Sequence, residues 1–136
     1  MSKYLLDSDV VSELRKPRPH GAVVAWISAQ NGEHLFVSTV TIGKLQSRIE
    51  RTRRHDSAKA SQLEVWLAEL PAIYQCLPMD IACFREWARL MNLKPDFSSE
   101  DAMIAATARV HSLVVVTRNE RDFAHFDVRV LNPFKS

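Results

Sequence analysis

Three aspartates separated by most of the chain carry the chemistry in this sequence: Asp7, Asp101 and Asp122, the last preceded by Asn119. Asp7 interrupts the apolar run Tyr4-Leu5-Leu6 with an acid rather than with turn residues. Asp101 stands where a helix begins, and Asn119 with Asp122 follows the β-branched run Val114-Val115-Val116-Thr117. Oxygen donors with no Cys or His close by in sequence suit a hard cation such as Mg²⁺ or Mn²⁺, which keeps several waters and accepts one or two carboxylates directly. Such an ion activates a water and neutralises charge on a phosphate, which is the chemistry of phosphodiester hydrolysis. Taken singly, an aspartate at a helix start also suits a cap or a partner for the helix dipole, so the reading rests on the three acids converging.

Convergence depends on the elements that carry the acids. Tyr4 to Leu6 reads as a strand that ends at Asp7, after which Ser8 or Asp9 caps a helix through Val10, Val11 and Leu14. Pro17 and Pro19 end that helix, and a second one from Val23 to Ala29 closes at Asn31-Gly32. A strand over Leu35 to Ser38 is followed by a helix capped by Thr39 or Thr41, which carries Ile42, Leu45 and Ile49 into the basic residues Arg48, Arg51, Arg53 and Arg54. Ala58 to Leu70 is helical with Leu63, Trp66, Leu67 and Leu70 on one stripe. Tyr74 to Leu77 is an edge strand, and Asp80 to Leu93 a helix broken by Lys94-Pro95-Asp96. Ser98 or Ser99 opens a helix rich in alanine, Val114 to Thr117 is a strand covered on both faces, and Val128 to Leu131 is a last short strand.

Strands alternating with helices imply a mostly parallel sheet between helical layers, joined by right-handed crossovers. In such sheets ligands bind outside the carboxyl ends of the strands, which is where Asp7 and the Asn119–Asp122 segment fall, and the N-terminus of its helix brings Asp101 to the same edge.

Length and composition agree with one domain over residues 1–136: 46% of the residues are apolar, enough for a working core. No stretch has signal-peptide organisation or the roughly 20 apolar residues needed to span a bilayer, so a cytoplasmic protein without a membrane partner is expected. The two cysteines, Cys76 and Cys83, have neither C-x-x-C nor paired-His spacing, and read as buried free thiols rather than a disulfide or a zinc site. The five histidines are scattered, and none is given a catalytic role. A formal charge of +2 does not by itself demand a polyanionic partner. The run Arg48, Arg51, Arg53 and Arg54 can hold the phosphates of a polyanion or can be a solvated face diluted by Glu50 and Asp56. Trp26, Trp66 and Trp87 sit at apolar helical positions and read as packing residues rather than base-stacking ones.

The stretches Tyr4 to Leu14, Asp101 to Ala108 and Thr117-Arg118-Asn119 through Asp122-Phe123, with the closing Asn132-Pro133, resemble VapC-type PIN-domain toxins over essentially the whole chain. The resemblance implies an α/β/α sandwich around a parallel sheet and Mg²⁺- or Mn²⁺-dependent cleavage of RNA. It also implies homodimerisation, inhibition by a cognate antitoxin and higher assembly with it. By position, Asp7 and Asp101 correspond to the first and third family acids and are the expected metal ligands, with Asn119 and Asp122 at the fourth. The second acid, a glutamate, falls at Lys44, and Arg48 stands where relatives tend to have glycine. An ammonium between Asp7 and Asp101 would stand in for the cation and weaken or abolish cleavage. In the alternative arrangement Lys44 faces solvent, and Glu13 or Glu100 supplies the missing ligand. The rival functional reading is a protein that binds antitoxin without cutting. A small-molecule phosphatase is the weaker third, since no Gly-rich phosphate loop is present.

Overall fold

The computed structural model describes residues 2–93 and 96–135. Five strands, β1 (Tyr4–Leu6), β2 (Leu35–Ser38), β3 (Gln75–Leu77), β4 (Val114–Val116) and β5 (Val130–Leu131), form one sheet in the order β3-β2-β1-β4-β5. Every pairing is parallel. Seven helices are described: α1 (Ser8–Arg15), α2 (Gly21–Ser28), α3 (Thr39–Arg53), α4 (Ser57–Ile73), α5 (Ile81–Leu93), α6 (Ser99–His111) and the short α7 (Glu120–Phe123).

Strand order and handedness together build the layers. The chain steps outward from β1 to β2 and β3, then returns to lay β4 on the other side of β1. With right-handed crossovers this reversal sends the first helices to one face and the later ones to the other. The core divides accordingly. Leu6, Val37 and Val116 pack with Val10, Val23, Leu45, Ile49 and Leu67 of α1 to α4. Their strand neighbours Leu5 and Val115 point the opposite way, onto Leu90, Ile104, Ala105 and Phe123 of α5 to α7. Alternate side chains of a strand face opposite sides, so a strand buried on both faces needs an unbroken apolar run, and Val114-Val115-Val116 supplies one. The alanines of α6 are buried, and their small side chains let that helix lie close to the sheet. The three-layer α/β/α sandwich expected from the sequence is therefore present, with a wholly parallel sheet.

Several boundaries differ from the sequence expectation for local reasons. Asp7, not Ser8 or Asp9, caps α1, and Ser38, not Thr39 or Thr41, caps α3 by accepting from Val40 N at 3.0 Å. The α4 helix passes through Pro71 to Ile73, since Tyr74 N still reaches Leu70 O at 2.9 Å and closes the last turn. The edge strand then begins at Gln75 rather than Tyr74. The last strand starts at Val130 because Asp127, two residues earlier than Arg129, adopts a left-handed turn conformation, and pairing resumes only with Val115 N donating to Arg129 O. Lys94 and Pro95 of the expected helix breaker lie outside the described residues; α5 ends at Leu93. Trp26 packs edge-on against Tyr4 and Trp87 against Phe84, as packing residues do. Of the two thiols Cys83 is buried and Cys76 only partly so. No described helix is long and apolar enough to cross a membrane.

Leu5 is completely buried between β1's neighbours and α6. Truncation to alanine is expected to cost about 3 kcal/mol in urea unfolding, whereas Val65→Ala on the exposed side of α4 should change stability by under about 0.5 kcal/mol.

Candidate active site

The site begins where β1 and β4 end side by side. Leu6 pairs with Val116, so the next residues, Asp7 and Thr117, emerge together at the carboxyl edge of the sheet, at the point where strand order reverses. Asp7 is 3% exposed. One carboxylate oxygen accepts from Ser8 N at 2.8 Å and the other from the Thr117 hydroxyl at 2.8 Å. The same hydroxyl oxygen accepts from Asn119 N at 3.0 Å, which fixes its proton toward Asp7.

A fourth aspartate joins this group. Asp9 Oδ2 accepts from Arg118 N at 2.9 Å and lies 3.4 Å from the Thr117 hydroxyl. Its Oδ1 is buried without a partner. Burial first, and the Asp7 charge second, push the Asp9 carboxyl above the usual range. The sequence marks Asp9 as a possible cap and Thr117 as the end of a strand, and both fall in stretches that resemble the family, but neither is assigned a place in the site. The one available signal was a polar residue closing an otherwise apolar β-branched run.

Asp101 arrives from the first turn of α6, which Ser98 caps by accepting from Asp101 N at 3.3 Å. Burial pushes its carboxyl up to about 6; Lys44 pulls it down, while Asp7, Asp122 and Glu100 add to the rise. Asp101 therefore lies within electrostatic reach of both Asp7 and Asp122. Asp101 and Asp122 also line a groove of about 370 Å³ with Ser98, Arg121 and His125, so folding does bring a histidine near the acids. Asn119 precedes α7 and is exposed; among the described residues its side-chain amide forms no hydrogen bond.

Lys44 projects from α3 toward the same place. Its ammonium lies 3.9 Å from Asp101 Oδ1, and both side chains are 18% exposed. That is an ion-pair distance but too long for a hydrogen bond. Among the described residues Lys44 forms no such pair with Asp7, so it stands on the Asp101 side rather than bridging the two acids. Of the alternative ligands, Glu13 is committed to Lys16 Nζ at 2.9 Å and His20 N at 3.0 Å. Glu100 is exposed on the rim, in a depression of about 160 Å³ shared with Lys44, Ser47, Arg48 and Arg51.

The basic run divides in two. Lys44, Arg48 and Arg51 follow helical spacing and form one stripe beside the acids, with Arg48 Nη2 3.4 Å from Ser8 Oγ. Arg53 belongs elsewhere: Glu50 and Glu64 hold its guanidinium and tie α3 to α4. Arg54 is the exposed C-cap of α3.

Residues 4–129 match the PIN domain family. The chain belongs to the PIN-domain family. Over 96% of its length this PIN domain is 32% identical to the VapC ribonuclease Y4jK of Sinorhizobium fredii, of which 97% is covered. Toxin FitB of Neisseria gonorrhoeae is 29% identical, again with 96% of this chain and 97% of that protein covered. The solved structure of FitAB bound to an IR36 DNA fragment superposes with a TM-score of 0.84 at 28% identity, covering 98% of this PIN domain and 96% of that chain.

The carboxylates suit a small hard cation. Asp7, Asp101 and Asp122 offer only oxygen from three separate elements, burial first and then the neighbouring acids hold the Asp101 carboxyl high against the pull of Lys44, and an Asp9 oxygen beside Asp7 has no partner. The Lys44 ammonium competes for the same place at Asp101.

Two consequences are measurable in metal-free buffer. With a folded-state pKa of about 6 against an ordinary 3.8, Asp101 binds its proton more tightly in the folded chain. That contribution to stability is complete below about pH 4 and is lost as pH rises through about 6. Asp101→Asn should therefore unfold at higher denaturant than the parent at pH 7, by on the order of 2 kcal/mol, with no gain at pH 4. Thr117→Val removes the donor to a buried carboxylate and is expected to cost about 1–3 kcal/mol at pH 7, measured by urea unfolding.

Proposed function

We propose that this PIN domain, one domain over residues 1–136, is the toxin of a toxin–antitoxin pair, an endoribonuclease that uses Mg²⁺ or Mn²⁺. The observation that carries the reading is the meeting of Asp7, Asp101 and Asp122 where the parallel sheet reverses, in a chain similar throughout to proteins named VapC ribonuclease and FitB toxin. PIN-domain ribonucleases generally depend on a divalent metal. Asp7 and Asp101 would hold the ion, and Asp122 would support it from the groove. A bound ion supplies an activated water and charge neutralisation on the scissile phosphate. Thr117 holds the Asp7 carboxylate in one orientation, and the exposed amide of Asn119 would bind a phosphate oxygen or an incoming water. Arg48 and Arg51 give the RNA backbone cationic contacts beside the acids, while Arg53 stays with its glutamates. A cognate antitoxin neutralises the toxin, which works in the cytoplasm as a homodimer and assembles further with antitoxin; the similar FitAB structure is bound to a DNA fragment.

Lys44 sets how far the activity survives. Glutamate to lysine changes the local charge by about two units, and each unit pair interacts by about 4 kcal/mol at roughly 4 Å with an effective dielectric near 20. The ammonium must leave Asp101 before a divalent ion binds there, so this PIN domain binds metal weakly and cuts slowly. The separation of 3.9 Å between Lys44 and Asp101 also favours a second reading, in which the chain captures antitoxin without cutting RNA.

One experiment separates the readings: cleavage of RNA with Mg²⁺ or Mn²⁺ by the purified chain, by Lys44→Glu, and by Lys44→Glu combined with Asp7→Ala. Lys44→Glu is expected to cut at least about tenfold faster than the parent, a difference of about 1.4 kcal/mol, and the double variant not at all. No cleavage by Lys44→Glu would overturn the nuclease reading, and equal rates for parent and Lys44→Glu would remove position 44 from the site.

A further inference from the structure

At the far end of α6 a different set of side chains meets. Asp80, Cys83 and His111 each offer one ligand atom, and those atoms all lie within 4.8 Å of one another. Asp80 precedes α5, Cys83 lies in the first turn of α5, and His111 is the last residue of α6. Asp101 and His111 sit in the first and last turns of one helix, about 15 Å apart at 1.5 Å rise per residue, so this cluster is separate from the acids of the groove.

The three groups are held or free in ways that suit ligation. Asp80 Oδ1 accepts from Cys83 N at 3.0 Å, which orients the carboxylate beside the thiol. The Cys83 thiol is buried beside Asp80 and Thr107; burial first, then its contact with Asp80, push it above the ordinary thiol range. His111 is exposed, and among the described residues its ring forms no hydrogen bond, so it can swing inward. A tetrahedral cation with bonds of about 2.0–2.3 Å separates its ligand atoms by roughly 3.5 Å, so atoms already within 4.8 Å of one another need close by at most about 1.3 Å.

We propose that Asp80, Cys83 and His111 form a site for a borderline divalent cation of the Zn²⁺ class, with water in the fourth position. One carboxylate oxygen, one sulfur and one imidazole nitrogen select zinc-like ions over Mg²⁺, which prefers oxygen alone. As the metal–sulfur bond forms, the thiol proton leaves to solvent. The ion clips the start of α5 to the end of α6, tightening the helix pair that covers one face of the sheet. Sequence spacing could not reveal the set, because His111 comes from the next helix along.

Cobalt titration of the full chain tests the site independently of any nuclease activity, because only a thiolate ligand produces a sulfur-to-cobalt charge-transfer band. In a Cys76→Ser background, one equivalent of Co²⁺ is expected to give that band, and Zn²⁺ to abolish it by displacement. Asp101→Asn should leave the band intact. His111→Ala, an exposed change that spares the core, should weaken binding by at least about tenfold, and Cys83→Ser should eliminate the band. Absence of the band in the Cys76→Ser chain, or an unchanged cobalt affinity in His111→Ala, overturns the proposal.

Discussion

The hydrogen bond from Thr117 to Asp7 joins residues 110 positions apart and is the contact on which the arrangement of the site turns. It exists because β1 and β4 lie side by side in parallel with Leu6 opposite Val116. A slip of one residue would reverse the faces of Leu5 and Leu6, which pack into different halves of the core. The apolar register thus determines where a buried carboxylate sits. Its remaining oxygen is satisfied by the first backbone N–H of α1, so the strand ends, the helix starts and the acid is oriented within two residues.

Around that fixed carboxylate the molecule gathers like charges at some cost to itself. Asp9 and Asp101 are both harder to ionise than free aspartate, and in each case burial is the larger cause and neighbouring acids add to it. A fold selected for stability alone would not place these groups together; concentrated strain of this kind belongs to sites that await a counter-charge. Lys44 supplies part of that charge internally, at a distance that moderates the repulsion on Asp101 without a direct hydrogen bond.

The layered fold was legible because its main signals are local. Unbroken apolar runs such as Val114 to Val116 mark strands covered on both faces, and an acid closing the first such run marks the sheet edge. Asp7, Asp101 and Asp122 could be singled out for a similar local reason: Asp7 joins β1 to α1, and Asp101 and Asp122 lie in the first turns of their helices. Asp9 and Thr117 were not legible as partners, since their hydrogen bond spans 108 residues and depends on register. Asp7-Ser8-Asp9 offers three adjacent capping side chains, and only the backbone at the end of β1 selects the first. The partner of Arg53 was hidden for a similar reason: it finds Glu64 on α4, a pairing set by how two helices cross and not by spacing along either. The lateral approach of α5 to α6, which carries Cys83 to His111, is equally invisible in a linear pattern.

Lys44 occupies a position whose charge is separable from the architecture. It lies outside both core clusters, caps nothing, and its ion pair with Asp101 spans 3.9 Å. Lysine and glutamate codons differ at one base, so a point change can reverse the sign of this side chain while the sheet, the helix pairs and the Asp7 anchor persist. Heredity can therefore switch the electrostatics of the groove without having to rebuild the fold that carries it.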